Sequence, residues 1–146
     1  MKINNIYNGD CIEILNKTIK KNSIDLVFAD PPYNLSGNAL KWQGNKTGGD
    51  WFMVNEKWDK MSDPDYFAFT EQWIKGCHTA LKDNGSIYVC GTFHNIGEIL
   101  VVLKKFGFLI NHIETKKSMW SYLDGNYFNY NYICAILCNC RSNFLY

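Results

Sequence analysis

The sequence predicts an α/β fold with a mostly parallel sheet. Short apolar runs alternate with stretches of helical periodicity, the pattern of a sheet covered by helices. One run, IDLVFA, is almost continuously apolar, as in a central parallel strand covered on both faces. The helical stretches also end at glycines, where chains turn. At 146 residues the chain has the length of one domain and enough bulk for a real core.

Residues 2–7 read as a first strand. NGDCIEILNKTIKK follows, with Asp10 and Glu13 at capping-box spacing and Ile12, Leu15 and Ile19 at helical intervals. Residues 23–29 form the second, central strand. Residues 34–61 are a long polar segment with four glycines and three tryptophans, Trp42, Trp51 and Trp58. Loops of that length inside a domain usually carry function, and the tryptophans favour it. The next helix takes Asp63 as N-cap and Pro64 as its first residue, with Tyr66, Phe69, Trp73, Cys77 and Leu81 on one stripe and Gly85 as its end. SIYVCGT is the third strand. HNIGEILVVLKKFG is a second covering helix that presents Ile96, Ile99, Leu100 and Leu103 and stops at Gly107. FLINHIET is the last strand. Residues 1–117 thus form one unit, whereas residues 118–146, crowded with Tyr, Asn and Cys and carrying only Asp124 and Arg141 as charges, read as an atypical tail.

The composition, 47% hydrophobic with 20% charged residues, suits a globular protein. A formal charge of +1 argues neither for nor against a nucleic-acid partner, so any basic surface is local. The apolar runs fall short of the roughly 20 residues a membrane span needs, and no signal peptide opens the chain. A cytoplasmic location and reduced thiols are therefore expected for the six cysteines. Cys134, Cys138 and Cys140 lack zinc-ribbon spacing, and no metal is expected. His78, His94 and His112 stand isolated and point to no catalysis.

The chemistry concentrates at IDLVFADPPYN. Asp30 stands at the carboxyl end of a strand, where open α/β sheets bind ligands. Pro31 and Pro32 have no N–H, so the backbone there offers carbonyl acceptors only, with φ fixed. Acceptors of this kind suit a planar –NH2 group and repel a keto oxygen, and Tyr33 adds a face that can stack on a ring. Two acceptors that draw the amine hydrogens out of plane would free its lone pair for attack on an electrophilic methyl. The same acceptors would stabilise the positive charge that develops. An Asp that caps a turn before a Pro-Pro breaker is the bland alternative.

With DPPYN behind a hydrophobic strand, NGDCIEIL about twenty residues before it and LKDNGSIYVCGT after it, the chain resembles the amino-group DNA methyltransferases that place the catalytic half first. The resemblance spans roughly residues 3–117. It implies a partial Rossmann-like, S-adenosylmethionine-dependent methyltransferase fold with DNA as partner. Asp first in the motif, rather than Ser, implies adenine N6 rather than cytosine N4. By motif position, Asp30 and the Pro31 carbonyl hold N6 and Tyr33 stacks on the flipped base. Pro32 and Asn34 lie beside the base, Trp42 and Trp51 face DNA, and Asp10 and Asp30 lie near the cofactor. The family's aromatic-x-Gly-x-Gly turn for the cofactor has no counterpart, since the sequence holds no Gly-x-Gly. The resemblance therefore implies an incomplete enzyme with an exposed strand edge, open to self-association or to a complementing chain. The alternatives are a non-catalytic module that binds nucleic acid or a partner, and a methyltransferase for RNA or protein amines, whose motif more often begins with Asn.

Overall fold

The structure, a computed structural model, describes residues 4–34, 59–92, 95–112 and 134–140, with the backbone alone for His112 and residues 134–140. Its elements in chain order are α1 (Cys11–Lys17), β1 (Ile24–Ala29), α2 (Asp63–Ala80), β2 (Leu81–Cys90), α3 (Ile96–Lys105), β3 (Phe108–His112) and β4 (Cys134–Cys140). The α/β class is as expected.

The strand order is β1-β2-β4-β3. β1 and β2 run parallel, with Val27 opposite Ile87 and Ala29 opposite Val89. β4 lies between β2 and β3 and is antiparallel to both. The parallel expectation thus holds for β1 and β2, while the sheet is completed by a strand from the stretch read as a tail. Its run CAILCNC is short and sits among Tyr and Asn, so its apolar character did not stand out from its surroundings.

α1 begins at Asp10, whose carboxylate accepts the Glu13 N–H at 2.9 Å, as the capping-box spacing predicts. It ends at Lys17, sooner than the periodicity predicts. The strand expected at residues 2–7 does not form over its described part. From Asn4 the backbone is irregular and Ile6 is 94% exposed, so its apolar side chain has found no sheet to join. α2 is capped by Ser62 rather than Asp63, because the Ser62 hydroxyl accepts the Asp65 N–H and donates to the Asp65 carboxylate. At its other end α2 runs directly into β2. Gly85 lies within that strand, not at a helix end. A Cβ there would meet the Lys82 and Ile24 carbonyl oxygens at 3.0 and 3.1 Å, so the register shift between Ile24 and Leu26 leaves room for hydrogen only. α3 follows its predicted face and stops where Gly107 adopts φ +77°.

The core lies between one face of the sheet and helices α2 and α3. Ile74, Ile87, Val89, Ile99, Val102 and Leu103 are fully buried there, each burial worth about 1.5–3 kcal/mol. α1 packs on α2 through Leu15, which lies against Gly76 so closely that a Cβ on Gly76 would meet it at 3.0 Å. β1 is not the central, doubly covered strand that its composition predicts. It lies at the end of the described sheet, with Leu26 and Phe28 exposed on the face away from the core. A run apolar on both faces signals burial on both sides, and among the described residues only one side is covered.

Candidate active site

Strands β1 and β2 end side by side, and the residues that follow each lie at the edge where parallel sheets bind ligands. Residues 30–34 follow β1; Gly91 and Thr92 follow β2 and lead into Asn95 at the start of α3.

Asp30 is exposed at the end of β1, while Pro31, Pro32, Tyr33 and Asn34 are half-buried. The Tyr33 hydroxyl donates to Asp30 Oδ1 at 2.6 Å. A carboxylate has about four lone-pair positions, so this bond occupies one and orients the rest. Among the described residues Asp30 belongs to no ion pair. Its carboxylate therefore stands at the sheet edge without a cation from the described residues. Tyr33 is tied to Asp30 through its hydroxyl, which leaves the ring as its contribution to any stacking.

Asn34 closes the loop. It adopts φ 55°, a conformation Asn tolerates better than other side-chain-bearing residues. Its backbone N–H donates to Asp59 Oδ1 at 2.8 Å, and its side chain exchanges bonds with the Met61 backbone at 2.7 and 3.1 Å. The loop after β1 is thereby fastened to the segment that enters α2.

A second set of residues, absent from the motif reading, supports the loop from below. Tyr66 on the first turns of α2 donates its hydroxyl to the Pro32 carbonyl at 3.0 Å and accepts from Asn95 Nδ2 at 2.8 Å. Asn95 Oδ1 accepts from the Thr92 N–H at 2.7 Å and the Thr92 hydroxyl at 3.2 Å. Tyr66, Asn95 and Thr92 are buried. Burial pushes the Tyr66 hydroxyl above its ordinary pKa, and the hydrogen bond from Asn95 offsets this only in part. Tyr66 stays protonated and remains a donor at neutral pH. In the sequence it passes as one member of an apolar stripe. The available signal was Thr92 and Asn95, two polar residues three apart just past a strand end.

Of the other predicted site residues, Asp10 sits at the start of α1 with Oδ1 engaged as the helix cap. Trp42 and Trp51 lie outside the described residues. The structure thus brings together Asp30, Pro31, Pro32, Tyr33 and Asn34, joined to Asp59, Met61, Tyr66, Thr92 and Asn95. His78 packs edge-on against Phe108 with ring centroids 5.4 Å apart. No described helix is long and apolar enough to cross a membrane.

Comparison with known proteins bears on the fold and the family. Over 111 residues the chain is 44% identical to the type II methyltransferase M.HinfI of Haemophilus influenzae, covering 74% of this chain and 30% of that protein. Against the type II methyltransferase M2.MboI of Moraxella bovis it is 40% identical over 113 residues, covering 76% of this chain and 40% of the other. The chain thus spans well under half the length of these relatives. Among solved structures, TTHA0409 of Thermus thermophilus in complex with S-adenosyl-L-methionine shares the fold at TM-score 0.59 and 18% identity, over 94% of this chain and 54% of that one. The cytosine-N4-specific PvuII DNA methyltransferase does so at TM-score 0.57 and 15% identity, over 91% and 47%. The N6_N4_Mtase family model, described as DNA methylase, matches residues 24–139, a span that runs from the first residue of β1 almost to the end of β4. With most of its length under that match, the chain belongs to the DNA methylase family.

Proposed function

We propose that this chain carries the amine-holding half of a DNA methyltransferase that moves a methyl group from S-adenosylmethionine to N6 of an adenine turned out of the duplex. The observation that carries the reading is the acceptor cluster after β1: an exposed carboxylate in no described ion pair, held by Tyr33, beside two residues without N–H groups. Such a cluster receives both hydrogens of an exocyclic amine and favours the positive charge that appears on nitrogen as the new N–C bond forms. Asp30 and the Pro31 carbonyl act as the two acceptors, Tyr33 as the stacking face, and Trp42 and Trp51 as DNA contacts.

The same carboxylate, in no described ion pair, fits a cationic methyl donor. When bound, S-adenosylmethionine would supply an electrophilic methyl, and Asp30 would be a group of this chain that holds its cationic end. Names of relatives point the same way, since M.HinfI and M2.MboI are type II methyltransferases. A cytoplasmic setting follows from DNA as substrate. A second reading, base holding without transfer, draws on the lack of any Gly-x-Gly in the sequence.

The test is S-adenosylmethionine titration by calorimetry, followed by transfer of labelled methyl to DNA and hydrolysis to nucleosides. Label in N6-methyladenine that vanishes in Asp30→Ala, with the fold retained, is the expected result. Label in N4-methylcytosine would reassign the base. A folded chain that binds no S-adenosylmethionine would favour holding without transfer.

A further inference from the structure

The Thr92–Asn95–Tyr66–Pro32 chain of hydrogen bonds joins the loops that follow two neighbouring parallel strands. Tyr66 gives its one hydrogen to Pro32 and accepts the Asn95 amide, while Asn95 uses its oxygen for Thr92. Tyr66 and Asn95 are only 3% and 2% exposed, and a hydroxyl and an amide so placed are costly to desolvate unless paired in this way. No helix cap explains the arrangement, because Asn95 precedes α3 without capping it through its side chain. The Thr92–Asn95 bonds are local, but the chain spans 29 residues between Tyr66 and Asn95 and 34 between Pro32 and Tyr66, so local turn chemistry did not create those two links.

We infer that Tyr66 is a positioning residue, whose hydroxyl withdraws the Pro32 carbonyl from the site and couples the loop after β2 to the loop that holds the amine. The inference rests on the amine-holding reading of residues 30–34 and deepens it. With the Pro32 oxygen committed to Tyr66, the acceptors left to the substrate amine are the Asp30 carboxylate and the Pro31 carbonyl. A shift of Asn95, whatever binds there, is transmitted to Pro32 through two hydrogen bonds, and a shift of Thr92 through three.

Two variants of the full chain test this by NMR, because the Tyr33 amide shares its peptide group with the Pro32 carbonyl and reports on that carbonyl's hydrogen bond. Tyr66→Phe keeps the ring and removes the hydroxyl. Asn95→Asp keeps the acceptor for Thr92 but turns the donor facing Tyr66 into an acceptor, so the tyrosine hydroxyl swings toward it and leaves Pro32. Both variants are expected to move the Tyr33 amide in the same direction at neutral pH. On acidification, protonation of the new carboxyl at position 95 restores a donor, and the amide returns toward its wild-type position in Asn95→Asp alone. A Tyr33 amide that Tyr66→Phe leaves in place overturns the inference, whether or not Asn95→Asp folds. So does a folded Asn95→Asp without the acid-dependent return.

Binding of single-stranded oligo(dA), followed by fluorescence anisotropy, supplies the functional arm. Tyr66→Phe is expected to weaken it about tenfold, the cost of one hydrogen bond in the site. Oligo(dA) binding as tight in Tyr66→Phe as in wild type overturns the positioning role. If wild type and Asp30→Ala bind oligo(dA) equally, the amine-holding reading falls, while the Tyr33 resonance still decides the coupling.

Discussion

Asn34 and Met61 exchange hydrogen bonds: the Met61 N–H donates to the Asn34 side-chain oxygen at 2.7 Å, and the Asn34 amide donates to the Met61 carbonyl at 3.1 Å. The pair closes the loop that begins at Asp30, so the carboxylate is anchored at both ends, by β1 before it and by the entry to α2 after it. A carboxylate on a freely moving loop would hold an amine poorly, because its ordering would cost free energy at each binding event.

Asn34→Ala removes both side-chain bonds and places a Cβ residue at φ 55° without the local hydrogen bonding that helps Asn there. Each bond contributes about 1 kcal/mol and the left-handed backbone adds roughly 1–2 kcal/mol. Urea unfolding should show a loss of about 3 kcal/mol. Asn34→Gly relieves the backbone share and should lose about a kcal/mol less. Equal losses for the two would remove the conformational part of the argument.

Cys77 should make the protein sensitive to alkali. Burial, with a smaller contribution from Cys11, pushes its thiol up to about 12. A thiol whose folded pKa is raised supports the fold fully below its unfolded value, near 9, and that support is lost as pH climbs toward the folded value. Stability should fall above about pH 9 by up to about 1.4 kcal/mol per pH unit. In Cys77→Ala, unfolding curves taken between pH 8.5 and 10 should lose much of this slope, the remainder coming from the Cys11 thiol, which burial also raises; the raised Tyr66 hydroxyl adds its own loss only above about pH 10. A wild-type protein equally stable across that window would contradict the burial argument.

Leu26 and Phe28 are 55% and 69% exposed on the end strand of the described sheet. An apolar strand so placed invites edge pairing or face contact between copies. Light scattering should show self-association that rises with concentration and diminishes in Phe28→Lys, whose melting temperature should stay within a few degrees of wild type because the ring is largely in solvent. A wild-type protein that stays monomeric at every concentration would leave this surface without the role described.

The helices and the motif were legible in the sequence because both are local. Asp10 and Glu13 cap α1 at a spacing of three, the face of α3 repeats at helical intervals, and Gly107 stops that helix with a positive φ. The acceptor character of residues 30–32 follows from residue type alone, since proline has no N–H in any fold. Even the N-cap of α2 was off by one residue, because Ser62, Asp63 and Asp65 are all able caps and only the backbone geometry chooses among them.

The sequence by itself therefore determined the class of fold, the helix faces and the chemistry offered after β1. Tertiary structure alone decided which strand lies at the end of the sheet and that residues 134–140 enter between β2 and β3. It also decided that Tyr66, one of an apolar stripe, turns its hydroxyl to Pro32. The physical reason is range. Periodicity and capping act over three or four residues, whereas strand order and buried hydrogen bonds are settled between segments tens of residues apart, where the gain comes from pairing polar groups and covering apolar faces that local sequence does not bring together.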